Sequence, residues 1–408
     1  MNGYLSFILA HRRFLAFGLL MTFFSSFGQT FFIALFGAKI RADFQLSHGG
    51  FGTIYSLATL TSAACLIWLG RRIDDLDLRL FSSLVCLGLA AGCLTMAVAG
   101  HPLLLFAALL LLRLMGQGLL SHTAATSMGR YFDRQRGKAI GIASLGHAGG
   151  EALLPLPAVL LMGALGWRQS WLLTGIVLAL GLVPLVLWLL KGHGERHRRL
   201  LEEQGTGDDT GRTRTRRHWT RREVLGDRWF YRVLPAVLAS PLIMTGLFFH
   251  QAHLAEVKGW SLTWVATCFV GFAVSSVGGS LVGGVLVDRL GAVRLLPVYL
   301  LPLACALVLL ALLDHPGAAL GYLALAGLSA GLNFSVSGSL WAEAYGVLHL
   351  GAIRALLAAL MVFSTALSPV VLGALIDLGV SMEAIAGLCL TYVALAITLV
   401  ALPGGRVV

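Results

Sequence analysis

Arg113 and Glu151 are two ionisable residues set deep inside stretches otherwise free of charge, each near the midpoint of its run. Such groups cost several kcal/mol in an apolar interior and mark solute or proton pathways. Two roles are open. In one, Glu151 takes up and releases a proton while Arg113 tunes its affinity or holds an anionic solute. In the other, the two form a permanent ion pair that neutralises both charges. His147 precedes Glu151 by four residues and so shares its helical face. His250, beside Gln251 and one turn from His253, follows an expected helix break at Pro241. An imidazole donates and accepts near neutral pH, which suits proton coupling, although a packed, satisfied histidine is the alternative. Gln29, Tyr55, Thr59, Gln117 and Asn333 are further polar residues that could line a cavity. Tyr55 with Thr59, and Arg113 with Gln117, are spaced i,i+4 and share a face; bonding to a neighbouring helix is the competing role.

The elements that position these residues follow from composition. Of 408 residues, 57% are hydrophobic and 12% charged, about half the roughly 25% charge of soluble domains. The net charge of +11 punctuates apolar runs instead of lining one face, which argues against nucleic acid. Runs of about 20 residues, each long enough to span a hydrocarbon core as a helix, begin at Phe14, Phe51, Leu80, Ala139, Gln169, Val233, Trp264, Leu295, His315, Ala355 and Ala384. His101-Pro102 divides the long run from Leu80 to Gly129, so twelve spans are expected in an all-α integral membrane protein. His11-Arg12-Arg13 precedes an apolar run too long for a cleaved signal, so the first span is read as a signal anchor. The six cysteines fall within spans and are read as packing residues. No phosphate-binding Lys-Ser/Thr follows the runs Gly278-Gly279-Ser280 or Gly283-Gly284, so no nucleotide or other cofactor, metal or catalytic group is expected.

With the N-terminus inside, about 25 of the 30 Lys and Arg residues fall in inner loops and about 4 in outer ones, which places both termini in the cytoplasm. Residues 191–232 are polar and charged, with Glu202-Glu203, Asp208-Asp209 and an arginine cluster from Arg212 to Arg222. They read as a cytoplasmic linker able to lie on an anionic leaflet. It separates an N-terminal half, 1–190, from a C-terminal half, 233–408. The halves repeat at a fixed offset: Gly70 with Gly284, Asp74 with Asp288, His101-Pro102 with His315-Pro316, Tyr131 with Tyr345, Gly137 with Gly351 and Pro155 with Pro369. Two parallel six-helix repeats are therefore expected.

Several motifs resemble the major facilitator superfamily. The loop Gly284-Val-Leu-Val-Asp288-Arg289-Leu-Gly291-Ala-Val-Arg294 is similar to its G-x-x-x-D-R-x-G-x-x-R signature. The equivalent Gly70-Arg-Arg-Ile-Asp74 loop keeps the Gly and Asp but lacks the second Gly. Arg113-Leu-Met-Gly116-Gln117-Gly118 resembles the family's helix-4 arginine motif, and the stretches from Tyr131 to Gly141 and Gly166-Trp167-Arg168 resemble its entries to helices 5 and 6. The resemblance implies twelve helices, alternating access and a single-chain transport unit. It also implies a cytoplasmic gate in which Asp74 meets the helix near Gly351 and Asp288 the helix near Gly137, with Arg136, Lys138, Arg289 and Arg354 completing the latch. Ordinary inside anchoring is the alternative for those basic residues.

The segments Ser240–Trp260 and Gly351–Gly379 resemble bacterial monocarboxylate and oxalate–formate carriers, although the eighth span lacks the arginine on which those carriers rely. The expected function is a proton-coupled symporter of a small organic anion in a bacterial inner membrane, with protons, solute and lipid as its partners. A proton-driven drug or metabolite exporter would use Phe23, Phe24, Phe27, Phe248 and Phe249 around a large cavity. An importer of metal or a metal chelate would use Met244, His250 and His253. A non-transporting receptor is the remaining class.

Overall fold

The computed structural model describes residues 2–132, 135–195, 219–346 and 349–402, with side chains from residue 5 onward. All regular structure among them is helical. The helices that matter here are α1 (Asn2–Ser25), α2 (Gly37–Phe44), α3 (His48–Leu69), α4 (Leu78–Val98), α5 (Pro102–Tyr131), α6 (Arg136–Leu153), α7 (Pro155–Leu165) and α8 (Trp167–Leu189). They continue with α9 (Arg228–Phe249), α10 (Gln251–Val257), α11 (Leu262–Leu290), α12 (Leu301–Leu312), α13 (Pro316–Tyr345), α14 (Leu350–Asp377) and α15 (Met382–Ala401).

Ten helices among the described residues are long and apolar enough to cross a membrane, or eleven if α6 and α7, bent by 40°, form one span. The remaining expected span, from Leu295, is a shorter helix, α12, of 12 residues. Pro297 and Pro302 explain it: each removes a backbone N–H and crowds the preceding turn, leaving turns at 296–300. Pro155 bends α6–α7 by the same chemistry, since it has no N–H for the Glu151 carbonyl. Pro241 behaves otherwise. The helix runs through it from Arg228, not Val233, to Phe249, and the break falls at His250 (φ −99°, ψ 16°). Of the expected linker, residues 196–218, with most of its charge cluster, lie outside the described residues. Arg221–Leu225 forms a short helix whose Thr220 and Glu223 cap each other.

The spans are started by local chemistry. Asp77, Asp227, Ser261 and Ser381 each accept a hydrogen bond from a first-turn N–H, satisfying donors that have no carbonyl partner within the helix. The repeated His-Pro pair is the same device twice. His101 Nδ1 accepts from Leu103 N at 3.2 Å and His315 Nδ1 from Gly317 N at 3.0 Å, while the proline occupies the first helical position.

Two compact units result, Met1–Ile33 with Leu57–Thr213, and Ala34–Ser56 with Arg214–Val408. The first packs α1 against α6 and α5, and α4 against α8. The second packs α11 against α13, α9 against α14 and α15, and carries α2 and the first turns of α3 against α10 and α14.

Candidate functional site

The centre of the first unit is a break in the first span. The sequence Phe14–Phe36 was expected to be continuous, but α1 ends at Ser25, a tight 3₁₀ turn covers Ser26–Gly28, and Gln29 is extended (ψ 151°) before helix resumes at Thr30. Arg113, 5% exposed, donates from Nη1 to the Gly28 carbonyl at 3.2 Å. Helix α5 is widened there into a π-helical stretch, Leu112–Leu120, a distortion common at functional sites. Glycine makes the approach possible. A Cβ on Gly28 would collide with the Leu112 carbonyl, and one on Gly116 would lie 2.8 Å from Gly28 Cα. The wider π turn also shifts Gln117, half-buried, out of the simple i,i+4 register with Arg113.

Glu151 is carried by α6, a second helix packed on the first span. Helix α6 lies against Leu19–Ser26, where Gly146 and Gly150 leave no room for a Cβ, and Thr22 donates to the Ala143 carbonyl at 2.5 Å. The sequence leaves open whether Arg113 and Glu151 meet; the guanidinium bonds the break of the first span, and no ion pair to Glu151 occurs among the described residues. His147 does share the Glu151 face, and its Nδ1 is 3.3 Å from Ser25 Oγ. The Ser25 hydroxyl donates to the Thr22 carbonyl at 2.6 Å, so its oxygen accepts and His147 Nδ1 carries the proton.

His250 belongs to a different cluster, in the second unit. Its Nε2 donates to the Pro369 carbonyl of α14 at 3.1 Å. The His48 ring lies 5.6 Å from the His250 ring and 4.5 Å from that of His253. Asp377 at the end of α14 accepts from His48 N at 2.9 Å and Gly49 N at 2.8 Å, capping α3. Arg41 and the backbone near Gly52 and Gly373 close the group, with almost no free volume between them. Asp377→Ala is expected to remove about 1–2 kcal/mol as a lost cap; a lower melting temperature restored by Asp377→Asn would check it.

The remaining expected residues are dispersed. Tyr55 is fully buried, its ring 4.7 Å from Phe249, and Thr59 is buried on the same helix. Asn333 accepts from Ser337 one turn on, at 2.9 Å. Phe248 packs on Phe269 and Phe272. Of the expected gate, Asp74 pairs with Arg130 at the end of α5, a residue the sequence reading passed over although it occupies the last turn of an apolar run. The Gly70 carbonyl lies 3.1 Å from His122 Nε2. Arg136 donates to the Gly129 carbonyl at 2.9 Å and Arg354 to that of Gly338 at 2.7 Å. Lys138 is exposed on the first turn of α6. Gly284 has open space beside it, and Asp288 and Arg289 are exposed without an ion pair among the described residues. The repeat explains the asymmetry: the position equivalent to Arg130 is Ala344.

The family model of the Major Facilitator Superfamily matches residues 18–369. The chain belongs to the Major Facilitator Superfamily. No curated protein shows significant similarity to it. In structure this facilitator is similar to a bacterial homologue of the human lysosomal transporter Spinster. In its inward-facing, occupied conformation the TM-score is 0.65 at 17% identity, covering 97% of this chain and 94% of that one. In its unoccupied conformation the TM-score is again 0.65 at 17% identity, covering 96% and 93%. At that identity the likeness speaks to fold alone. His48, Asp377 and Arg41, like Arg130, are residues of the facilitator that sequence reasoning missed; all lie at or just beyond the ends of apolar runs, where a polar residue looks like ordinary span termination.

Proposed function

We propose that this facilitator is a proton-coupled secondary active transporter that moves a small organic anion by alternating access. Family membership already makes it a transporter and not an enzyme. The observation that carries the coupling is Glu151: a half-buried carboxyl group without an ion-pair partner among the described residues, at a proline-bent helix, on the same face as His147. A carboxylate with no cation beside it is costly in an apolar interior, and taking a proton removes that cost. Arg113 sets one permanent cation in the same unit as the Glu151 carboxyl group, and that charge favours an anionic solute once Glu151 is neutral. Alternating access is the mechanism that two parallel repeats of a facilitator make possible, one repeat rocking against the other around a central site. The unit works as a single chain of two six-helix halves joined by residues 191–232. Both termini lie in the cytoplasm of a bacterial inner membrane, in keeping with the distribution of Lys and Arg. Asp74, Asp288 and their basic neighbours gate the cytoplasmic side.

The test is internal pH in proteoliposomes, read with a trapped dye as small organic acids are added outside. Flux through the protein is compared with flux through Glu151→Gln and through empty liposomes. One acid is expected to drive protein-dependent proton entry, at least tenfold slower in the variant, because the amide keeps the shape but cannot exchange a proton. Equal flux through both proteins would return Glu151 to a packing role.

A further inference from the structure

At the end of the first unit that carries the N-terminus, α1 and α8 leave a groove of about 550 Å³ lined by Arg12, Arg13, Ala16, Trp188, Leu189 and Lys191. Its rim is cationic and its floor apolar. The Arg13 guanidinium lies 4.9 Å over the Trp188 ring and donates to the Trp188 carbonyl. That contact fixes one cation at the mouth, and Trp188 itself remains 58% exposed. Arg12 and Lys191 are exposed on either side.

We propose that this groove binds an anionic phospholipid, its phosphate held by Arg12, Arg13 and Lys191 and its glycerol and upper acyl chain laid along Trp188, Ala16 and Leu189. Charge complementarity carries the assignment. Among the described residues, three other cations of this unit are matched: Arg72 with Asp75, Arg79 with Asp77 and Arg130 with Asp74. Arg12, Arg13 and Lys191 have no carboxylate within ion-pair distance among those residues. Three like charges around one groove repel unless an anion lies between them. The floor selects between sources of that anion. A free phosphate gains nothing from an alanine, a leucine and an exposed indole, whereas a lipid places its headgroup at the cations and its chain on the apolar wall. Tryptophan is also the side chain that best tolerates the headgroup boundary, with an apolar ring and one polar edge.

The full chain, purified in detergent, is titrated with phosphatidylglycerol, phosphatidylcholine or inorganic phosphate, and bound lipid is counted by native mass spectrometry. Arg12→Gln/Lys191→Gln is the paired variant, chosen because both side chains are exposed and their loss leaves the packing intact; an unchanged melting temperature in lipid-free detergent confirms this. The wild-type chain is expected to retain phosphatidylglycerol in preference to phosphatidylcholine, and the variant to bind it at least tenfold more weakly. A third arm, Trp188→Ala, is expected to weaken phosphatidylglycerol while leaving any binding of inorganic phosphate unchanged. Equal retention of the two lipids, an undiminished variant, or displacement of the lipid by equimolar inorganic phosphate each overturns the assignment.

Discussion

Removing both carboxylates from Lys258, in Asp314→Ala/Glu383→Ala, is expected to destabilise the second unit by about 3–5 kcal/mol, the cost of stranding a buried charge. The Lys258 side chain is 1% exposed, and its ammonium meets Asp314 at 2.5 Å and Glu383 at 2.7 Å. It ties the end of α10 to the loop before α13 and the start of α15. Burial disfavours its charge, but the hydrogen bonds it donates to the two carboxylates outweigh burial and hold its pKa above the ordinary lysine value. The two sides of this bridge are not equivalent, because Asp314 is 76% exposed and Glu383 38%. Lys258→Met should therefore be far milder, of order 1 kcal/mol, since the released carboxylates are rehydrated while the methionine fills the same space. Either single carboxylate variant should fall between, one partner remaining. Melting temperatures of the four variants in one detergent give the order directly; a Lys258→Met protein less stable than the double variant would mean that burial of the ammonium does not decide the balance.

Gly28→Val is expected to abolish the folded state, by well over the roughly 1–3 kcal/mol of ordinary overpacking. The new Cβ would strike the Leu112 carbonyl, lie 2.5 Å from Gln117 N and 2.9 Å from Gly116 Cα. These are backbone atoms of α5, and no rotamer change can move them aside. Pushing α5 away also takes Arg113 from the Gly28 carbonyl, leaving a buried acceptor and a guanidinium to be satisfied elsewhere. Gly141→Ala supplies the contrast. Nothing lies within 4 Å of a Cβ there, and alanine in a helix is favoured over glycine by about 1 kcal/mol. Size-exclusion profiles of detergent-purified protein should show Gly28→Val aggregated or absent and Gly141→Ala monodisperse with an equal or higher melting temperature. A monodisperse Gly28→Val would show that the first span can close its break.

Much of this architecture was legible in the sequence because it is local. Apolar run length and the repeated His-Pro pairs act within a turn or two of the residues that carry them. The misjudged elements fail for reasons that are local in kind but decided by surroundings. Pro241 is carried inside a continuous helix, whereas Pro155 accompanies a 40° bend. A missing N–H is tolerated or not according to what packs around the freed carbonyl.

Arg113, Glu151, His147 and His250 could be singled out from the sequence because a charged or titratable residue inside an apolar run is conspicuous on its own. Their partners could not. Hydropathy determined an all-helical membrane chain and put Arg113 and Glu151 near the midpoints of their apolar runs. Only tertiary packing decided that the first span, approached by α5 at Gly28 and by α6 at Gly146 and Gly150, would take the guanidinium at its break and leave the carboxyl group on His147's face. The same holds for Asp74, which found Arg130, and for His48, which found Asp377 and two more histidines. Hydropathy is a property of each segment alone, but pairing depends on which backbones approach closely, and that is fixed by glycines on helices far apart in sequence.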